Sequence, residues 1–338
     1  MSRLRYETPA AVAKKLASNA PASIRRLLDP SFGGGALILP LAKKLNRCKT
    51  TVYCVDNDPA AVSDMAANLP TTSGISPNFI TDDFLNWVKE KRRNKFDCIV
   101  MNPPFSAVQS QLVKQSVPTF PKDGGAIVRS MPIEAAFLFH AIELLEDGGR
   151  LLAVLPTSVV MSESLQWLRL RMFALGAVRS VHELPPSTFA NVESRMYLLV
   201  FDKGGKQRKL RLYNHDLEEP HELKLSMSSG DAPHRLDYGF NHAKQTHSRV
   251  LNGSCSLEWK PLGELVEIHR GKSSSPFQAS DVVHSCDYRD GYWHRPSNYE
   301  PTSFPETTEA IRRTDILLQR CGEFRHEAGG AAEVEVRV

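Results

Sequence analysis

From residue 24 to about 201, short apolar runs alternate with stretches whose apolar residues recur at helical spacing. Strands buried on both faces read as continuous apolar runs, so this alternation predicts a largely parallel sheet covered by helices on each side. Seven strands are expected, near Ile24 to Asp29, Thr51 to Asp56, Asn78 to Thr81, Asp97 to Met101, Arg150 to Pro156, Val178 to Leu184 and Met196 to Asp202. Helices are expected between them at Ala36 to Leu45, Pro59 to Asn68, Pro132 to Leu145 and Ser162 to Leu175, the third stopping at Gly148-Gly149. Residues 106–130 break the rhythm with Ser, Gln, Gly and Pro, which predicts a mobile loop. The pattern as a whole predicts a doubly wound α/β domain over residues 1–213. A linker rich in Gly, Ser, Pro and His is expected over 214–256, and a smaller α+β or mostly β unit over 257–338, with strand-like runs at Leu262 to His269 and Asp315 to Leu318.

Composition narrows the class. Of 338 residues, 41% are hydrophobic and 24% charged, and no apolar run is long enough to span a bilayer, so a cytoplasmic chain with no membrane partner is expected. The net charge of +4 permits a nucleic-acid partner without demanding one. Lys203, Lys206, Arg208, Lys209 and Arg211 cluster around a Gly-Gly turn, as a solvated turn or as a phosphate contact. The six cysteines show no ligand spacing, and Cys54 and Cys98 sit inside apolar runs, which predicts reduced core thiols. His234, His242 and His247 have no carboxylate or cysteine at ligand spacing, so no metal is expected.

Three segments carry candidate chemistry. The first strand ends in Asp29-Pro30-Ser31-Phe32-Gly33-Gly34-Gly35 and enters a helix, an order that builds a nucleotide-binding crevice where backbone can approach the ligand. The spacing differs from the G-x-G-x-x-G of dinucleotide enzymes. Asp56 closes the second strand, where a carboxylate can take two ribose hydroxyls. After the third strand, Asp82-Asp83-Phe84 offers either a carboxylate and a ring for a purine or a helix cap.

The fourth strand delivers Asn102-Pro103-Pro104-Phe105 to the sheet's carboxyl edge. An aromatic amine is a poor nucleophile because its lone pair is delocalised into the ring. The Asn102 side-chain oxygen and the Pro103 carbonyl can accept its two N–H bonds and favour the pyramidal form, while Phe105 stacks on the base. Two prolines keep the backbone extended with its carbonyls outward. Placement and electrostatics then carry the reaction.

These motifs, in this order, resemble the amino-methylating DNA methyltransferases of the gamma arrangement, from Tyr6 to about Asp202. The resemblance implies a seven-stranded S-adenosylmethionine-dependent methyltransferase fold and methyl transfer to adenine N6 in double-stranded DNA, the base being flipped out of the stack. It further implies a restriction-modification setting with a restriction or specificity subunit as partner, and a nucleoid-associated cytoplasmic location. It assigns Thr8, in Tyr6-Glu7-Thr8-Pro9, to the methionine end of the cofactor, Asp29 to its amino group, and Gly33 and Gly35 to its lining. Phe32 joins that lining where many adenine enzymes carry Cys, and Gly34 stands where they carry Ser or Thr. Asp56 is implied at the ribose, Asp83 and Phe84 at the cofactor adenine with Phe137 or Phe139, and Phe189 at the flipped base. An Asn rather than a Ser at the start of the catalytic motif favours adenine over cytosine.

The segment His234-Arg235-Leu236-Asp237-Tyr238-Gly239-Phe240 resembles the entry to the recognition domains of fused restriction-modification enzymes. The run from Trp259 to Lys272 resembles the start of type I specificity-subunit recognition domains, of which 257–338 would be an incomplete copy. Two other readings fit N-P-P-F: methylation of RNA or of protein glutamine, whose planar nitrogen poses the same problem, and a truncated module that binds cofactor or DNA without turnover.

Overall fold

The computed structural model describes residues 7–45, 49–69, 74–90, 94–105, 112–119, 125–185, 188–189, 195–214, 220–226, 234–253, 288–289 and 292–293. The chain divides into two compact units, 1–255 and 256–338. The expected recognition unit, including Trp259 and the runs near 262 and 315, falls almost wholly outside the described residues, as does Tyr6.

In chain order the first unit contains α1 (Ala10–Ser18), β1 (Arg26–Asp29), α2 (Ile38–Leu45), β2 (Thr50–Asp56), α3 (Pro59–Asn68), β3 (Ile75–Thr81), α4 (Phe84–Glu90) and β4 (Phe96–Met101). There follow β5 (Leu112–Pro118), β6 (Ala126–Pro132), α5 (Ile133–Leu144), β7 (Leu145–Pro156), α6 (Thr157–Met161), α7 (Gln166–Leu175) and β8 (Gly176–Glu183). The last are β9 (Met196–Lys203), β10 (Lys209–Asn214), β11 (His221–Ser226) and α8 (Tyr238–Gly253).

One sheet holds nine strands in the order β11-β10-β8-β9-β7-β4-β1-β2-β3, and all seven expected strands lie in it as β1, β2, β3, β4, β7, β8 and β9. Strands β3, β2, β1, β4 and β7 run parallel, whereas β9 is antiparallel to both β7 and β8. The chain builds outward from β1 to β3 and then returns to lay β4 on the other side of β1. That reversal opens a crevice between the carboxyl ends of β1 and β4, so the loops holding Gly33 and Asn102 meet there.

The core follows strand alternation. Leu28, Ile99 and Leu151 enter one buried cluster, and Leu27, Cys98, Val100 and Leu152 another on the opposite face. Cys54 and Cys98 are buried within β2 and β4, and burial pushes both thiols above their usual range. Helix α3 starts where its sequence predicts: the Asp58 side chain accepts from the Ala60 N–H, and Pro59 occupies the first turn.

Three expectations are corrected. Helix α5 ends at Leu144 rather than at Gly148-Gly149. The glycines belong to β7, where pairing with β4 jumps from Phe96 opposite Leu145 to Cys98 opposite Arg150, and the bulge puts Gly148 at φ +83°. Residues 106–130 are not simply a loop, because β5 and β6 form an antiparallel hairpin. Its inner face carries Val117 and Met131 into the core and Gln115 to His140 Nε2 at 2.9 Å, while Lys114, Ser116 and Val128 face outward. That half-exposed alternation is what made it read as polar. The expected linker 214–256 contains β11, which extends the sheet beside β10, and α8. Strand β11 lies at the sheet's edge and carries exposed Glu222 and Lys224, so its apolar signal is sparse.

Candidate active site

Each loop of the crevice is shaped by contacts that its own sequence supplies. After β1, the Ser31 N–H donates to Asp29 Oδ1 at 3.1 Å, and the Gly35 N–H donates to the Phe32 carbonyl at 2.7 Å. The turn needs Gly33 at φ +51° and Gly35 at φ +76°, a region that disfavours side chains. A Cβ at Gly35 would in addition lie 2.3 Å from Met65, whereas at Gly33 nothing stands within 4 Å, so that side of the turn is open.

Asp56, at the end of β2, ties the crevice together. Its Oδ2 accepts from the Gly33 N–H at 2.9 Å and its Oδ1 from the Asp58 N–H at 2.9 Å. Asp29 is fully buried, and among the described residues its Oδ2 has no hydrogen-bond partner. Desolvation raises its carboxyl to about 8; the Ser31 N–H opposes the shift and the nearby charge of Asp56 adds to it. A buried acid with an unfilled oxygen beside an open glycine turn fits a cationic amine, which would draw the proton off.

At the end of β4, Asn102 is held from two sides. Its carbonyl accepts from Ser31 Oγ at 3.1 Å, and its Nδ2 donates to Thr8 Oγ1 at 2.9 Å. Pro103 and Pro104 follow in extended connection, with Pro103 buried and Pro104 exposed. Phe105 packs, partly buried, against the cluster that contains Phe32 and Phe189. Phe32 lies 6.1 Å from Phe79, centroid to centroid.

Thr8, Asp29, Phe32, Gly33, Gly35, Asp56, Asn102 and Phe105 therefore surround one crevice. Asp83 and Phe84 stand one strand further along. Asp83 caps α4, its Oδ1 accepting from the Leu85 N–H at 2.8 Å, and Phe84 is buried 4.8 Å from Phe137. Phe139 points elsewhere in the same core, toward Trp167 and His140. Phe189 emerges from the loop after β8 at the same carboxyl edge and is buried.

Sequence reasoning missed two residues here. Ser31 was read only as part of the glycine motif, although its hydroxyl is the one side chain between Pro30 and Phe32 able to reach the neighbouring strand's end. Glu183, buried at the end of β8, accepts from the backbone N–H of Tyr238 at 2.8 Å and pairs with Arg195 at 3.4 Å. Burial raises its carboxyl, against the pull of Arg195 and of the Tyr238 and Gly239 N–H groups. It anchors the start of α8, as do the Arg235–Asp237 pair and the bond from the Leu236 N–H to the Val160 carbonyl. The Arg-Leu-Asp-aromatic segment is thereby fixed within the first unit, against β8 and α6.

The cationic turn lies elsewhere. Strand β9 begins beside Pro156 at the crevice edge and ends beside Arg150, so Lys203 to Arg208 sit at the opposite end of the sheet. Lys203 donates to the carbonyls of Ile142 and Leu145 at 2.8 Å each, at the end of α5. Among the described residues no group of His, Cys, Asp and Glu is arranged to hold a metal, and no helix is long and apolar enough to cross a membrane.

Known proteins resemble the chain in sequence and in fold. A release factor glutamine methyltransferase of Xylella fastidiosa (strain Temecula1) is 36% identical over 104 residues, which are 31% of this chain and 36% of that protein. The same enzyme from strain 9a5c is 35% identical over 104 residues, 31% of this chain and 36% of that protein. The chain thus spans about a third of the length of the curated relatives it matches. Among solved structures, a modification subunit of a putative type I restriction enzyme from Vibrio vulnificus YJ016 superposes with a TM-score of 0.51 at 15% identity, over 78% of this chain and 57% of that one. The type IIG restriction endonuclease BpuSI does so with a TM-score of 0.52 at 14% identity, over 81% and 36%. At these identities the likeness concerns the fold alone. Residues 4–233, well over half of the chain, match the family described as N-6 DNA Methylase. That match, which takes in both loops of the β1–β4 crevice, shows that the chain belongs to the N-6 DNA methylase family.

Proposed function

We propose that the protein transfers a methyl group from S-adenosylmethionine to the exocyclic amine of adenine in double-stranded DNA, as the modification component of a restriction-modification system. The observation that carries this reading is Asn102, delivered to the crevice edge by a strand buried from Cys98 to Met101 and anchored there to the glycine loop and to Thr8. The cofactor supplies an activated methyl group on a sulfonium. Asp29 offers a carboxyl oxygen to its ammonium, Asp56 has lone pairs left for ribose hydroxyls, and the glycine turn leaves room for the chain between them. Asp83 with Phe84 is assigned to the adenine end.

Asn102 Oδ1 and the Pro103 carbonyl accept the two amine N–H bonds of the target adenine, so its lone pair turns toward the methyl group. Phe105 stacks on the flipped base, with Phe189 as a second wall. As the nitrogen–methyl bond forms, the sulfonium's carbon–sulfur bond breaks and leaves a neutral thioether; the methylated amine nitrogen loses its proton to solvent only afterwards, so no strong base is needed beforehand. Unstacking the base costs a few kcal/mol, which aromatic and phosphate contacts must offset. Residues 257–338 are assigned to target recognition, shared with a specificity or restriction subunit, and 1–213 to catalysis.

Incubation with labelled S-adenosylmethionine and unmethylated genomic DNA, followed by digestion to nucleosides, tests the reading. Label is expected in N6-methyladenine and is expected to fall about 10²- to 10³-fold in Asn102→Ala, since the placed acceptor acts on the transition state. The curated relatives act on glutamine, a planar amide with the same lone-pair problem. Label entering only protein would therefore favour that substrate and overturn the DNA reading.

A further inference from the structure

The resemblance places Thr8 at the cofactor, yet its hydroxyl is in contact with the catalytic amide. Thr8 is almost fully buried, and its Oγ1 accepts from Asn102 Nδ2 at 2.9 Å. Asn102 needs such a constraint because an amide is nearly symmetric in shape and opposite in chemistry at its two ends. With its oxygen toward the target amine it accepts an N–H bond; rotated by half a turn it presents a second donor and repels the same amine. The main chain is already pinned, since the Ser31 hydroxyl donates to the Asn102 carbonyl at 3.1 Å. Rotation of the side chain is a separate degree of freedom, and Thr8 engages its nitrogen end.

We propose that Thr8 is a positioning residue for the catalytic amide: by accepting from Asn102 Nδ2 it keeps Oδ1 directed at the target amine. This deepens the proposed function and rests on it for the identity of the amine. Thr8 precedes Pro9, whose φ of −58° leads directly into α1, so a segment far from β4 in sequence sets the reactive end of β4. Removing the acceptor takes this bond from the amide and weakens the restraint on its orientation. Geometry lost in this way lowers the rate of the chemical step rather than the affinity for cofactor.

The test compares the full-length protein with Thr8→Val, which keeps the shape and loses the hydroxyl, and with Thr8→Ser, which keeps the hydroxyl. Single-turnover methylation of unmethylated genomic DNA at saturating S-adenosylmethionine is expected to slow by about 10- to 100-fold in Thr8→Val and to recover to within about threefold in Thr8→Ser. The dissociation constant of S-adenosylmethionine is expected to change less than about threefold in both. A tenfold weaker cofactor affinity with an unchanged single-turnover rate would make Thr8 a cofactor contact alone and overturn the proposal. A second readout needs no DNA. In protein labelled with ¹⁵N at asparagine, the side-chain amide signal lost in Asn102→Ala should exchange slowly in the wild type and quickly in Thr8→Val. Equal exchange in the two overturns the proposal. Protection lost in Thr8→Val while the wild type methylates only protein would instead leave the positioning role standing and remove the DNA substrate.

Discussion

Strand β4 and the hairpin β5–β6 lie close together in sequence, and they could hardly be built more differently. In β4, Cys98 to Met101 are all fully buried, because β1 and β7 flank the strand and helices cover both faces. In the hairpin, Val117 and Met131 are buried on one face, whereas on the other face Leu112 is 55% and Val128 71% exposed. A strand with no solvent side can rigidly present the residue at its tip, and Asn102 is that residue. A hairpin with one wet face has weaker internal constraint and is tied down by a few side chains such as Gln115 and Met131.

The contrast yields graded expectations. The largest effect belongs to the buried strand: Ile99→Ala should cost about 2–5 kcal/mol in denaturant unfolding, as large-to-small core changes do. A loss under about 1 kcal/mol would mean that β4 is less enclosed than its neighbours imply. Met131→Ala, on the buried face of the hairpin, should cost less than Ile99→Ala by the same measurement, because the half-exposed hairpin can collapse around the gap.

Asp29 gives a pH-dependent effect next in size. Its folded carboxyl, at about 8, keeps a proton that the unfolded chain, near 3.8, has lost. The native state then binds more protons across that window, so its stability falls as pH rises from about 4 to about 8. Asp29→Asn should remove a slope on the order of 1 kcal/mol per pH unit, seen as the difference between the two proteins' unfolding profiles. The same ionisation should tighten S-adenosylmethionine binding as pH approaches 8, by up to about tenfold per unit, and this dependence should vanish in the Asn variant. Matching slopes for the two proteins would show that Asp29 is charged throughout. The smallest effect is expected at Val128→Ser on the hairpin's outer face, within about 0.5 kcal/mol of the wild type in the same unfolding experiment. A larger loss would mean that this face is covered in the working protein.

These differences also explain what the sequence made legible. Six of the seven expected strands were readable because enclosure leaves a largely unbroken apolar run, the mostly exposed edge strand β3 being the exception, and the Asp-Pro-Ser-Phe-Gly-Gly-Gly and Asn-Pro-Pro-Phe motifs stood at strand ends. The hairpin and β11 were not, since partial exposure replaces apolar positions with Lys, Ser, Gln and Glu and erases the run. The Gly148-Gly149 pair misled for a different reason. Glycine marks any need for positive φ, and a bulge inside β7 demands it as a helix end would.

By itself the sequence determined the order of the seven strands, the crevice loops and the identity of Asn102, because hydrophobic periodicity and turn chemistry are local properties. Only the tertiary structure decided which hydroxyls hold Asn102, why Asp29 keeps its proton, and that Glu183 anchors α8. Each of these joins residues brought together by strand crossover, and their energies depend on burial and on partners that lie tens of positions away.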